Sequence, residues 1–221
     1  MSTIKNIILA IRAIPKTIYF NFKYFKLKDA IRFPVIVSHR VVFTMAKGKV
    51  KIDAPIKFAM IRIGFGGVRI FDQQRMRSVW YLTGTINFKG SAHIGNGTKL
   101  SVLGELILGN NFAISANTQI SCYKKIQFGD DVLIGWDCIF IDSDAHKILN
   151  NKKEIINPSK EIVIGNKVWF GFGCKVLKGS NIGNDIVVAS NSSIFNKINA
   201  NNCIIGGYPT RILKENITWE V

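Results

Sequence analysis

Between residues 164 and 194 the apolar positions keep a strict beat of six: Ile164, Phe170, Val176, Ile182, Val188 and Ile194. Four places after each of them stands Val168, Cys174, Ser180, Ile186, Ser192 or Ile198, a mostly small or β-branched set. At a hydrophobic content of 48%, six hits in one phase arise by chance on the order of once in 100. The beat also runs through Leu108, Ile114, Ile120 and Ile126, shifts by two, and resumes at Phe128, Ile134 and Phe140. ELILGNNF (105–112), KIQFGDDV (125–132) and EIVIGNKV (161–168) share an apolar-x-apolar-Gly-Asn/Asp core. Six residues supply a short strand and a bend, with the aliphatic pointing inward and the Gly-Asn or Gly-Asp pair accepting the tight corner. Three such units close a triangular turn, and stacked turns bury a continuous column. The pattern predicts an all-β parallel solenoid.

The beat fails in CIFIDSDAHKILNNKKE (138–154). Phe128 and Ile164 are 36 residues apart, one turn of three hexads plus an insertion of similar size. Residues 142–161 are therefore expected to leave the coil as a loop, and NNKKE and NPSK suit an exposed polar excursion. Asp142, Asp144 and His146 stand at its start. A loop held at both ends by a rigid scaffold is a good mount for chemistry.

The flanks read differently. STIKNIILAIRAI is expected to form an amphipathic helix up to Pro15, and the chain then interleaves aromatics with lysines through Pro34. The expected organisation is a basic, partly helical segment at 1–34, a coil over 35–210 with irregular early turns through residue 90, and a short closing helix or extension at 211–221. Residues 1–34 either pack on the end of the coil and shield its open strands or contact a membrane surface.

A net charge of +16 favours anionic partners, but no recognisable nucleic-acid module accompanies it and none is expected as a partner. No apolar run approaches the roughly 18–20 residues of a membrane span, and no secretory leader is evident, so a cytoplasmic location is expected. Cys122, Cys138, Cys174 and Cys203 form no CxxC pair and read as buried reduced thiols. His39, His93 and His146 include no closely spaced pair, so a three-histidine zinc site is not expected and no metal is required.

The hexads, with GDDVLI (129–134), DSDAHKI (142–148), IGNKVWFG (164–171) and GGYPTRILK (206–214), resemble the hexapeptide-repeat acyltransferases over at least residues 94–210. In detail they are similar to the galactoside and maltose O-acetyltransferases and the sugar O-acetyltransferases of capsule and O-antigen clusters. The resemblance implies a left-handed β-helix, a handedness that general crossover preferences would not supply. It implies a homotrimer with sites between subunits, acetyl-CoA as co-substrate, and a sugar or glycan acceptor. His146 would be the general base in a direct transfer, with Asp144 or Asp142 fixing its tautomer. Trp169, Gly171 and Ser190 match positions along the donor groove, with Arg211 and then Lys214 near the cofactor phosphates. Relatives often carry Gly-Ala-Gly-Ser and Thr-Lys where this chain has ASNS and FNK, which displaces the phosphate-binding lysine to Lys197 or removes it. Phe172 likewise replaces a small residue. Ser115, Asn117 and Trp136 align near the acceptor site; Trp136 suits stacking on a pyranose, whereas Asn117 equally suits a coil corner. The alternatives are N-acetylation of an amino-sugar nucleotide and a noncatalytic basic solenoid that binds an anionic polymer or assembly partner.

Overall fold

The computed structural model describes residues 2–66, 68–72 and 75–220. Its strands form the three walls of a prism. Wall A runs from Val35–Val37 to Cys203–Gly206, wall B from Val41–Ala46 to Ser193–Ile194, and wall C from Lys49–Ile52 to Lys197–Ile198. Within the coil each strand pairs in parallel with the one a full turn away. Gln119 pairs with Lys99, 20 residues back, whereas Ser193 pairs with Lys175, 18 back. The two extra residues explain the shift in the hydrophobic beat: in Lys125–Phe128 both Ile126 and Phe128 point inward and are buried.

The core is a column of aliphatics with a run of aromatics stacked inside it. Phe112, Phe128, Phe140 and Phe170 are fully buried, with successive ring centroids 5.0, 5.1 and 5.1 Å apart in tilted or edge-on contact. Such pairs contribute about 0.5–1.5 kcal/mol each beyond area burial.

The Gly-Asn/Asp motif makes the corner between walls C and A. The Asn110 backbone N–H donates to Asp130 (2.7 Å), Asp130 N–H to Asn166 (2.8 Å), Asn166 N–H to Asn184 (2.7 Å) and Asn184 N–H to Asn201 (2.7 Å). Each side-chain oxygen thus satisfies a donor one coil earlier, a local pairing suited to Asn and Asp. Glycine precedes this ladder because the next coil leaves no room: a Cβ on Gly109 would lie 2.0 Å from the Gly129 carbonyl oxygen.

The N-terminal helix, α1 (Ser2–Tyr24), continues through Pro15 rather than stopping there. Proline removes one helical hydrogen bond, but the residues beyond it are anchored on the coil. Phe20 is fully buried, 5.2 Å edge-on from Trp80. Asn21 donates to Val35 O (2.7 Å), and Thr17 Oγ1 accepts from Val37 N–H (2.9 Å). The helix thereby caps the first strand of wall A, an edge that would otherwise present open backbone groups. The early turns are longer than the later ones: Val41 pairs with Ser78, 37 residues on, and the register shifts between Phe43 and Met45. At the other end the closing segment is a strand rather than a helix: Arg211–Glu215 returns antiparallel on Cys203–Gly206 and closes wall A. Trp219 then folds back, donating its indole N–H to Lys167 O (2.9 Å). Among the described residues no helix is long and apolar enough to cross a membrane.

Candidate active site

The chain leaves wall B after Ile139–Ile141 and re-enters at wall C with Ile162–Ile164. Asp142 braces the exit. It is fully buried, and its carboxylate accepts the backbone N–H groups of Tyr123 (2.7 Å), Lys124 (2.8 Å) and Lys125 (2.7 Å) from the preceding turn. Charge-assisted bonds of this kind offset the desolvation of the carboxylate. Its main-chain oxygen accepts from Lys160 N–H (3.1 Å), which closes the neck of the excursion.

Beyond the neck the loop folds as a small hairpin, with an antiparallel bridge between Leu149 and Ile155. Asn157 is its hub. Its oxygen accepts from Ile148 N–H (2.6 Å), and its amide nitrogen donates to Asp144 Oδ2 (2.8 Å) and to the main-chain oxygen of His146 (2.9 Å). Lys178, from the next turn of the coil, pairs with Asp144 and donates to Asn157 O (3.1 Å). The Lys178 ammonium, followed by the Asn157 amide, holds the Asp144 carboxyl below the usual carboxylate range. His146 itself is exposed, with its backbone N–H donated to Asp144 O (2.7 Å). Neither carboxylate is bonded to the imidazole: Asp142 is committed to the coil, and Asp144 reaches His146 only through the main chain. Asn157 and Lys178 had no signal of their own in the sequence, the first lying in the polar NPSK stretch.

A second group of candidates lines the corner between walls A and B. Ser115, Trp136, Gly171 and Ser190 belong to four successive turns of that corner. Gly171 and Ser190 are stacked so closely that a Cβ on Gly171 would lie 2.6 Å from Ser190 Oγ. Trp136 stacks on Phe172, with centroids 5.2 Å apart and planes 6° from parallel. Asn117 is a corner residue here, at φ 49° with its amide donated to Asp137 (2.6 Å) and its oxygen taken by Lys99 (2.9 Å). The buried thiols Cys138 and Cys174 sit under the same corner, and Cys122 lies near the neck. Burial and the Asp142 charge push the Cys122 thiol up to about 12, far from a thiolate that carries an acyl group.

The remaining candidates fall on wall A and wall C. Trp169 pairs with Val187, Val187 with Ile204 and Ile204 with Lys214, so Trp169 and Lys214 share one exposed row of wall A. Arg211 pairs with Gly206 on the same closing strand. Lys197 lies on wall C, opposite Asn181, and is not grouped with them. Trp219 packs against Trp169, with centroids 6.0 Å apart. Within one chain, then, the loop with His146 and the corner with Gly171 and Ser190 stand at opposite edges of wall B, and the wall A cations form a third group.

No family model matches the chain. It is 29% identical over 144 residues, 60% of its own length and 72% of the other, to WbbJ of Escherichia coli strain K12, named as an O-acetyl transferase of lipopolysaccharide biosynthesis. It is 32% identical to the polysialic acid O-acetyltransferase of Escherichia coli O1:K1 over 52% of this chain and 38% of that one. Among solved structures it superposes on the polysialic-acid-specific acetyltransferase NeuO with a TM-score of 0.58 and 22% identity, covering 84% of this chain and 74% of the other. The likeness is one of fold: the coil is a left-handed parallel β-helix of the kind that acetyltransferase carries.

Proposed function

We propose that this chain, a relative of the O-acetyltransferases of capsule and O-antigen synthesis built on their hexapeptide-repeat coil, moves an acetyl group from acetyl-CoA to a sugar hydroxyl of a surface polysaccharide. The observation that carries this reading is the opening of the coil between Ile141 and Ile162, braced at Asp142 and presenting His146.

His146 acts as general base. Its imidazole takes the proton of the acceptor hydroxyl as that oxygen attacks the thioester carbonyl. The C–S bond then breaks, and the departing thiolate receives the proton. No acyl-enzyme intervenes. Asp144 works on the segment rather than on the ring: paired with Lys178 and tied through Asn157, it holds the backbone that bears His146. Trp169, Gly171 and Ser190 take the pantetheine arm, Gly171 because a side chain there would fill the groove against Ser190. Arg211 and Lys214 meet the phosphates, with Lys197 as an outlying cation. Trp136, whose ring is held flat on Phe172, offers a stacking face to the acceptor beside Ser115, while Asn117 keeps the corner in shape.

Because His146 and the Gly171–Ser190 corner lie at opposite edges of wall B, one chain does not close this site. A homotrimer, with each site between two copies, completes it. The enzyme works in the cytoplasm, with residues 1–34 in peripheral contact with the inner face of the membrane, where lipid-linked glycans are built.

Calorimetric titration with acetyl-CoA, alongside an Arg211→Ala variant, tests the donor assignment without knowledge of the acceptor. Micromolar binding weakened by the substitution is expected. Folded protein that binds no acetyl-CoA would favour the noncatalytic solenoid.

A further inference from the structure

The capped end of the coil gathers a group of basic side chains. Arg12 and Lys16 project from one side of α1, His39 and Arg40 form the first corner between walls A and B, and Arg77 immediately precedes Ser78–Leu82 of wall B. Lys16 Nζ donates to the main-chain oxygens of His39 (2.7 Å) and Val41, which fixes its ammonium at that corner. Among the described residues, the buried Arg40 Nε and His39 Nδ1 have no hydrogen-bond partner. The groups repel one another. Burial, then Arg12, Arg40 and Lys16, lower the His39 pKa; burial and Arg12 lower that of Arg40, and burial and Arg77 that of Lys16. Asp72 is the carboxylate that offsets Arg40. Unpaired buried donors and like charges held together both cost free energy, and an anion with several acceptor oxygens relieves both.

The same end exposes an apolar stripe. Ile7, Ile11, Ile18 and Phe22 recur at helical spacing on the outward side of α1 and are 53%, 60%, 45% and 47% exposed, values that place a row of large side chains in water. Arg12, Lys16 and Lys23 form a parallel stripe beside them. Leu27 and Ile31, also exposed, extend the apolar surface past the helix. A basic row beside an apolar row on a helix that lies flat on its scaffold matches the layering of phosphate over hydrocarbon at a lipid interface.

We propose that this end of the coil docks on an anionic lipid leaflet, with Arg12, Lys16, Arg40 and Arg77 gathering lipid phosphate groups while Ile7, Ile11, Ile18 and Phe22 enter the acyl boundary. The inference rests on the reading of residues 1–34 as a peripheral membrane contact, and it adds the phosphate site and the part played by Arg40 and Arg77 beyond that segment. The prism then stands end-on to the membrane, with the His146 loop several turns away from the surface.

Co-sedimentation of the full chain with vesicles tests it. One set contains phosphatidylglycerol in phosphatidylcholine, the other phosphatidylcholine alone. The protein is expected to bind the first set, to release with rising salt, and to bind the second weakly. Arg12→Gln is expected to weaken anionic-vesicle binding about fivefold, and Arg12→Gln with Arg40→Gln about 25-fold, at the usual contribution of a basic residue near such a surface. Ile11→Ser with Ile18→Ser is expected to weaken binding to both sets. Arg12 is exposed on the helix, so its single variant stands even where the Arg40 change lowers the melting temperature. Equal binding to both vesicle types, untouched by the arginine changes, would overturn the phosphate site and leave the membrane contact standing. Binding to neither would overturn both. Binding of inorganic phosphate or pyrophosphate, lost in the arginine variant and without vesicle binding, would assign the cations to a soluble anion and overturn the lipid.

Discussion

Asn157 donates its side-chain amide to the main-chain oxygen of His146 at 2.9 Å. The bond joins the outgoing and returning limbs of the excursion, and the same amide group also holds Asp144 and Ile148. The position of the proposed base therefore depends on a residue that takes no part in the proposed chemistry. Asn157→Ala is expected to lower kcat by about 10- to 100-fold, the scale on which small misplacements of reacting groups act, while acetyl-CoA affinity stays unchanged. A loss in donor affinity with kcat preserved would contradict this division. Steady-state kinetics beside calorimetry separates the two.

The neck is structural. Asp142→Ala strands three backbone donors that face its buried carboxylate and is expected to cost about 3 kcal/mol, which lowers Tm by roughly 6–12 °C in a chain of this size. Asp142→Asn, which keeps an acceptor oxygen, should lose less. Melting curves followed by circular dichroism decide it, and an unshifted Tm in the alanine variant would show that the neck is not braced by this carboxylate.

The mouth of the loop responds to acid. The Asp144 carboxyl is lowered in the folded state by Lys178 and Asn157, so its contribution is present above the unfolded carboxylate value of about 3.9 and is lost as pH falls through the lower folded value. The pair is exposed, and its effect on global stability is small. Local protection is the sensitive readout. Amide exchange at residues 144–157 is expected to be steady from pH 7 to about 5 and to rise in more acidic solution relative to the coil. Asp144→Asn should remove that pH dependence; a variant that keeps it would place the titrating group elsewhere.

Gly171 tests the donor groove. A methyl group there lies 2.6 Å from Ser190 Oγ and 2.7 Å from Ser190 N, so Gly171→Ala must displace the next turn, at about 1–3 kcal/mol for overpacking. The expected result is a modest drop in Tm together with at least a tenfold rise in the acetyl-CoA Kd. Donor binding that survives a measurable shift in Tm would remove this corner from the groove.

Much of the architecture was legible because a hexad repeat fixes which residues of each strand face inward, and the register Phe128 to Ile164 in the coil reproduces the 36-residue interval counted along the chain. Less legible were features set by contacts one coil away. The Asn110–Asp130–Asn166–Asn184–Asn201 ladder links residues that the sequence presents only as separate turn signals. Asp142 and Asp144 look alike in DSDAH, yet one is buried under three amides and the other pairs with Lys178 across 34 residues. Pro15 reads as a helix end by its local chemistry, but the burial of Phe20 and the bonds of Asn21 lie beyond it and carry the helix through. Trp219 had no motif to mark it, although it returns to Lys167 and Trp169.

The central claim is that His146 is the base of a direct acetyl transfer. The most direct test is the rate of CoA release from acetyl-CoA in the presence of capsule or O-antigen sugars, measured for the wild type and for His146→Ala at saturating donor. The account predicts acceptor-dependent release by the wild type and a loss of about 10²–10⁴ in the variant, with fold and donor affinity retained. Wild-type turnover by a folded His146→Ala protein would contradict it.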